Sequence, residues 1–271
     1  MAALELPPGS RAALLEPYGK ARLTRHRTWV HLAVEAIEED DERLVRRELD
    51  LVAGDNVVVS VRDGPIEAVD RFPDEVRGNT SLGKLDAGTF LAALVDTVVA
   101  TWFARIDEVE REIDRLDEIA LRGRDSEVFL VEVLRLRRRI AFVRRAIAPH
   151  REAFAPLARL DFDIDERLGK PWPGLVDRLE RVIDAIENAR ELLVGSVDIY
   201  LGSAAQRSND VMKALTVLSA ILLPGVVLAG IMGMNFKLPF FDEPNNFFIV
   251  LGGMGVFAIG LLVFARSRRW I

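Results

Sequence analysis

Two uncharged stretches constrain this chain more than any other feature: Ala214 to Met232 and Phe247 to Ala265, each 19 residues long. At 1.5 Å per residue, such a run makes a helix of roughly 28 Å, close to the hydrocarbon thickness of a bilayer. Buried helices of a soluble protein are the alternative, but those usually keep a polar face, and these runs are apolar all round. They read as two membrane spans, the first over about 211–232 and the second over 247–265. Lys213 precedes the first run, and Arg266, Arg268 and Arg269 follow the second. The loop 233–246 carries one Lys, one Asp and one Glu. The positive-inside rule then places both termini in the cytoplasm and the loop outside. The expected protein is integral to a plasma or inner membrane, with a basic cytoplasmic tail at 266–271. Pro224-Gly225 removes a hydrogen bond inside the first run, which either kinks there or tolerates the loss.

Ahead of these runs the composition changes. Charged residues make up 29% of the chain, and most lie before residue 214. Val30, Leu32, Val34 and Ala36 alternate, as do Val57, Val59 and Val61, and Leu44 to Leu51 reads as a further strand. Asp63-Gly64-Pro65 is a turn after which Ile66 to Val69 is expected to return as a paired strand. Residues 1–88 thus read as a small α/β domain with a mainly antiparallel sheet. From Thr89 the period becomes helical. Leu91, Leu94, Val95, Val98 and Trp102 share a stripe with Ile106, Val109, Ile113 and Leu116. Gly123 breaks the run, and Asp125 or Ser126 caps a second helix through Leu130, Leu134 and Val143. Residues 89–170 read as an antiparallel helical pair. Its charges, such as Asp107-Glu108 and Arg137-Arg138-Arg139, read as solvated faces.

Pro171-Trp172-Pro173-Gly174 is a breaker. Beyond it Leu175, Leu179, Val182, Ile186, Ala189 and Leu193 recur at three- and four-residue spacing. The simplest reading of 171–232 is one stalk helix, on the order of 90 Å long, that becomes the first span. Such a helix is expected to need partners to cover its stripe, and hence an oligomer. The fold class is an α+β cytoplasmic domain with long helices, followed by two transmembrane α-helices.

Several functions are disfavoured. A net charge of −6 argues against a nucleic-acid partner. With no cysteine there are no disulfides or thiolate metal sites. His26, His31 and His150 lack ligand-like spacing. No phosphate loop, nucleophile–base pair or catalytic metal cluster is apparent, so the chain does not read as an enzyme.

The segment Tyr200-Leu-Gly-Ser-Ala-Ala-Gln206-Arg-Ser-Asn209-Asp-Val-Met212-Lys213-Ala-Leu-Thr216-Val, then Leu223-Pro224, then Ala229-Gly230-Ile-Met-Gly233-Met234-Asn235-Phe236, resembles the CorA family of magnesium transporters. Gly-Met-Asn at the outer end of the penultimate span is that family's signature. The likeness extends over roughly residues 40–271. It implies a homopentameric, funnel-shaped channel with five copies of the long helix around one pore. Mg2+ is then both the transported and the regulatory ion, with no other cofactor and with Co2+ and Ni2+ as further divalent cations. It implies a selectivity filter at Gly233, Met234 and Asn235, and pore-facing or gating positions at Asn209, Met212, Leu215, Leu223 and Val226. Asp198 matches an acidic residue that contributes to a regulatory cation site between subunits. Three departures stand out: Met232 where relatives usually carry Tyr, Val226 where many have Thr, and an N-terminal domain shorter than is typical.

The chemistry suits those positions. Mg2+ sheds water reluctantly. A ring of Asn235 side chains offers neutral oxygens that accept hydrogen bonds from water already on the ion, whereas carboxylates would hold it too tightly for release. Gly233 is expected to let the backbone turn closely beneath that ring; as an isolated residue, Asn235 would read equally well as a helix C-cap. Met212, Leu215 and Leu223 would form apolar rings that stop a hydrated ion by dewetting, and Asn209 a polar cytoplasmic mouth. Carboxylates at Asp177, Glu180, Asp184, Glu187, Glu191 and Asp198 would crowd in an oligomer, and bound Mg2+ would screen them and hold the closed state. Two alternatives remain: a carrier of zinc or another heavy metal from the same superfamily, and a non-conducting, membrane-anchored helical scaffold.

Overall fold

A computed structural model describes residues 19–25, 29–41, 43–54, 57–78, 86–122, 126–158, 172–234 and 244–268. The chain divides into two compact units, Met1–Asp198 and Ile199–Ile271.

In the first unit four strands form an antiparallel meander in the order β1-β2-β3-β4: β1 (Arg22–Arg25), β2 (Val30–Asp40), β3 (Arg43–Ala53) and β4 (Val58–Arg62). β2 and β3 pair over their whole length, with Leu32 opposite Leu51 and Val34 opposite Leu49. Asp41 makes the turn between them at φ 47°, a conformation that Asp tolerates better than most residues. The alternation in β2 predicts one buried face, yet His31 to Ile37 are buried on both faces. Leu32, Val34 and Ala36 fill one side. His31, Ala33 and Glu35 lie on the other with Glu48 and Asp50, and all four polar residues are at most 7% exposed. They are paired: His31 Nε2 lies 2.6 Å from Asp50 Oδ1, Arg46 donates to Glu35, and the Gly19 N–H donates to Glu48 Oε2 at 2.8 Å. Burial raises the Glu35 carboxyl above its ordinary range, against the lowering effect of Arg46.

Helix α1 (Glu67–Gly78) replaces the returning strand expected at Ile66 to Val69. Four residues of alternation are too few to fix a strand. Here Glu67 and Asp70 sit in the first turn, where carboxylates favour a helix N-terminus. Asp70 also pairs with Arg62 of β4 at 2.6 Å, and Phe72 meets Phe90 edge-on. Helix α2 (Ala87–Arg122) begins at Asp86, whose Oδ1 accepts the Thr89 N–H at 2.7 Å. The expected stripe from Leu91 to Leu116 is buried throughout. Helix α3 (Ser126–Ile147) buries Phe129, Leu136, Ile140, Val143 and Ile147. Leu130 and Leu134, expected on that stripe, are 55% and 50% exposed. Several charges expected to be solvated join these helices instead: Arg139 donates to Glu108 at 3.0 Å and also pairs with Glu112, which Arg135 meets at 2.8 Å.

Helix α4 (Pro149–Phe154) and a short turn at Ala155–Ala158 follow. His150 is fully buried there. Its Nε2 accepts the Glu35 N–H at 2.9 Å and its Nδ1 lies 3.1 Å from the Ile147 carbonyl. Its ring meets Trp102 edge-on at 4.6 Å. Burial pushes the imidazole down to about 4, more than hydrogen bonding to the Ile147 and Ala146 backbone raises it.

Helix α5 (Trp172–Met232) runs unbroken for 61 residues, through Pro224. Its first part belongs to the first unit. Leu175, Leu179, Val182, Ile186, Ala189 and Leu193 are all buried there, none more than 6% exposed. The stripe expected to require other subunits is therefore covered within its own chain and gives no argument for an oligomer. Ion pairs fasten this stretch: Arg178 to Asp96 of α2 at 2.6 Å, Arg151 of α4 to Glu180 at 2.9 Å, and Arg144 of α3 to Glu187 at 2.5 Å.

The second unit contains the rest of α5 and helix α6 (Pro244–Ser267). By length and composition α2, α5 and α6 could each cross a membrane, which is consistent with an integral membrane protein. In the most apolar window of each, 44% of α2 is buried inside the protein, against 6% of α5 and 0% of α6.

Candidate functional site

Asn209, Met212, Leu215, Leu223 and Val226 all lie on the part of α5 in the second unit, and all are exposed. Met212 is 60% exposed, Leu223 65% and Val226 69%. Between Met212 and Val226 the covered positions are Lys213, Val217, Ile221, Pro224 and Gly225. Ile221, Pro224 and Gly225 line a groove with Leu251, Met254 and Phe257 of α6, and Val226 borders the same groove. A Cβ on Gly225 would come within 3.1 Å of Met254 Cε, the flexible end of that side chain.

The two sets occupy opposite sides of the helix. Steps of three and four residues keep one face in a gently supercoiled helix. Such steps link Val217, Ile221 and Pro224. They also link Asn209, Met212, Thr216, Ser219, Leu223, Val226, Gly230 and Gly233, a seam about half a turn away from the first set. Every position on this seam is exposed. Leu215 flanks it. Thr216, Ser219 and Gly230 were not picked out from the sequence; counting in threes and fours from Asn209 finds them.

At its outer end α5 closes with the Gly233 N–H donating to the Ala229 carbonyl at 2.9 Å and the Met234 N–H to the Ile231 carbonyl at 3.2 Å. Met234 is 53% exposed. Asn235 lies outside the described residues. Among the described glycines only Gly19 has a positive φ, and a Cβ at Gly233 would sit 3.4 Å from the Ala229 carbonyl, an ordinary contact. Within this chain the helix end itself therefore leaves room for a Cβ at position 233.

Asp198, exposed, is the last residue of the first unit. Among the described residues no three His, Asp or Glu side chains converge as a metal-holding group. Among the described residues Asp198 has no such set around it. Two of the stalk carboxylates expected to repel one another, Glu180 and Glu187, are engaged by Arg151 and Arg144, and the hydrogen bond from Arg151 lowers the Glu180 carboxyl below its ordinary range.

The chain was compared with known proteins. Residues 1–266 match the family model described as CorA-like Mg2+ transporter protein. The cobalt/magnesium transport protein CorA of Thermotoga maritima is 26% identical over 255 residues, covering 93% of this chain and 72% of that protein. The zinc transport protein ZntB of Klebsiella pneumoniae is 26% identical over 278 residues, covering 98% and 79%. The solved structure of the CorA magnesium transporter from Methanocaldococcus jannaschii superposes with a TM-score of 0.74 at 20% identity, covering 100% of this chain and 86% of that one. With a helix-rich first unit, long apolar helices and a family match over nearly its whole length, the chain belongs to the CorA-like Mg2+ transporter family.

Proposed function

We propose that this chain is one subunit of a homopentameric channel that passes hydrated Mg2+, together with Co2+ and Ni2+, across the membrane. The family is one of divalent-cation transporters, so the chain is not an enzyme. In this reading α5 and α6 are the two spans, both termini are cytoplasmic, and α2 is a core helix despite its apolar length. Five copies of α5 line the pore. Asn235 forms a neutral oxygen ring at the outer mouth, with Gly233 and Met234 beneath it. Met212, Leu215, Leu223 and Val226 form the apolar gate, and Asn209 the cytoplasmic mouth. Asp198 meets carboxylates of neighbouring subunits in a regulatory Mg2+ site, where bound ion favours the closed state through its higher affinity for that state.

One observation carries this reading. The exposed seam of α5 holds the proposed pore positions, while the opposite side is covered by α6. A helix so arranged can pack around an axis without giving up its partner within the chain. The test is Mg2+ uptake by liposomes containing the purified protein, alongside subunit counting by native mass spectrometry. Five-fold particles, uptake in the wild type and its loss in Asn235→Ala are expected; uptake that survives Asn235→Ala would refute the filter. The likeness to ZntB supports a second reading, zinc transport, which the same liposomes separate when offered a panel of metals.

A further inference from the structure

The seam carries two hydroxyl side chains between Met212 and Leu223, and they are not equivalent. Thr216 Oγ1 donates to the Met212 carbonyl at 2.8 Å, which commits its proton to the helix backbone. Ser219 is exposed, and among the described residues its hydroxyl has no hydrogen-bond partner. A serine in an apolar helix ordinarily bonds back to the carbonyl four residues earlier. Ser219 lies one heptad inward of Val226, on the same line of the helix. Between Asn209 and Gly233, which lie about 36 Å apart along the axis, Thr216 and Ser219 are the only seam positions with side-chain oxygen.

We propose that Ser219 is a specificity-determining residue of the ion pathway: its hydroxyls form a polar ring, within the apolar section, that takes a hydrated divalent cation by the water it carries. This rests on the proposed reading of α5 as the pore-lining helix. A hydrated Mg2+ keeps its inner water and needs acceptors for the outward-pointing water hydrogens. Leu223 and Val226 supply none, and a long apolar section resists wetting. The Ser219 ring lies about 6 Å inward of Leu223 and about 10 Å outward of Met212. With the Thr216 oxygen, which can still accept a hydrogen bond while its proton is committed to the backbone, it divides that section into short barriers. As a neutral group it holds the ion through outer-sphere hydrogen bonds and releases it readily.

The chain contains no cysteine, so single-cysteine variants report on one position each. In liposomes held at low Mg2+, Ser219→Cys is expected to react with a water-soluble, membrane-impermeant thiol reagent. Ile221→Cys, on the side facing α6, is expected to be protected. Ser219→Ala is expected to lower Mg2+ uptake roughly fivefold, the scale of one lost hydrogen bond. Adding Val226→Thr, which returns a hydroxyl one heptad outward, is expected to restore it. Wild-type uptake in Ser219→Ala, with uptake abolished in Asn235→Ala, overturns the inference while leaving the channel standing. A protected Ser219→Cys overturns it too, and decides the matter if Ser219→Ala fails to assemble. Absence of uptake in the wild type removes the channel reading and the ring together.

Discussion

His150 makes the first unit acid-sensitive in a calculable way. Its imidazole is held in the neutral form: Nε2 accepts the Glu35 N–H, which an imidazolium cannot do, and burial alone disfavours the charge. Its folded value is about 4 against an ordinary 6.5. A base whose folded value is depressed binds fewer protons folded than unfolded in that interval. Stability is therefore full above 6.5 and is lost as pH falls towards 4. The whole interval corresponds to about 3 kcal/mol, and at pH ~5 the loss is already about 2 kcal/mol, a large part of a typical domain's stability. Glu35 and Glu38 act in the opposite sense. Burial raises both carboxyls, so their contribution is present below 4.5 and is lost as pH rises through the raised values. The measurement must therefore be a difference. Urea unfolding of the detergent-solubilised protein, followed by tryptophan fluorescence from pH ~7.5 to ~4.5, should give a wild-type profile that falls with acid relative to that of His150→Gln. The glutamine keeps an acceptor for Glu35 but cannot titrate. Parallel profiles, or a wild type that gains on the variant as pH drops, would refute the argument.

Other consequences are simpler. Leu179 is fully buried under the first unit, so Leu179→Ala should lower the urea-derived stability by about 2–5 kcal/mol; a change within error would mean that this stretch of α5 is not anchored as described. Gly225→Ala brings its methyl to 3.1 Å from the flexible end of Met254, and should leave the melting temperature in detergent nearly unchanged. Gly225→Val adds branches with no room beside α6 and should lower it clearly; equal melting of both variants would contradict the packing of α5 on α6.

What was legible in the sequence was whatever depends on local pattern. The two charge-free runs announced α5 and α6, and the stripe from Leu91 to Leu116 announced the buried face of α2. Errors came where two patterns fit equally well. Leu130 and Leu134 obey helical spacing as well as Phe129, Leu136 and Ile140 do, and only contact with α2 decides which set turns inward. Ile66 to Val69 alternate like a strand, but the acidic first turn and the Asp70–Arg62 pair favour a helix. The polar cluster was invisible for a different reason. His150 reaches the Glu35 backbone across 115 residues of sequence, and no spacing rule signals such a bond. Asn235, proposed as the filter residue, is legible only as part of a recognised triplet, since it lies outside the described structure.

The most instructive error concerned the stalk. Its stripe from Leu175 to Leu193 suggested an oligomer because a long helix must cover its apolar side, but α2, α3 and α4 provide that cover. Farther along α5, Val217 is buried and Ile221 and Pro224 are partly covered, the latter two beside α6. These covered positions give no argument for partners, which must rest on the exposed seam. Along that seam, composition separates a pore lining from a surface that meets lipid. Lipid tolerates large apolar side chains and penalises polar ones. Leu218, Leu222, Val227 and Ile231 on the flanks fit lipid or a neighbouring helix. Asn209, Thr216, Ser219, Gly230 and Gly233 gather on the seam instead. A membrane anchor with no pore has no need to sort its residues in this way, whereas the proposed channel, with helices ranged around a hydrated ion, would call for it.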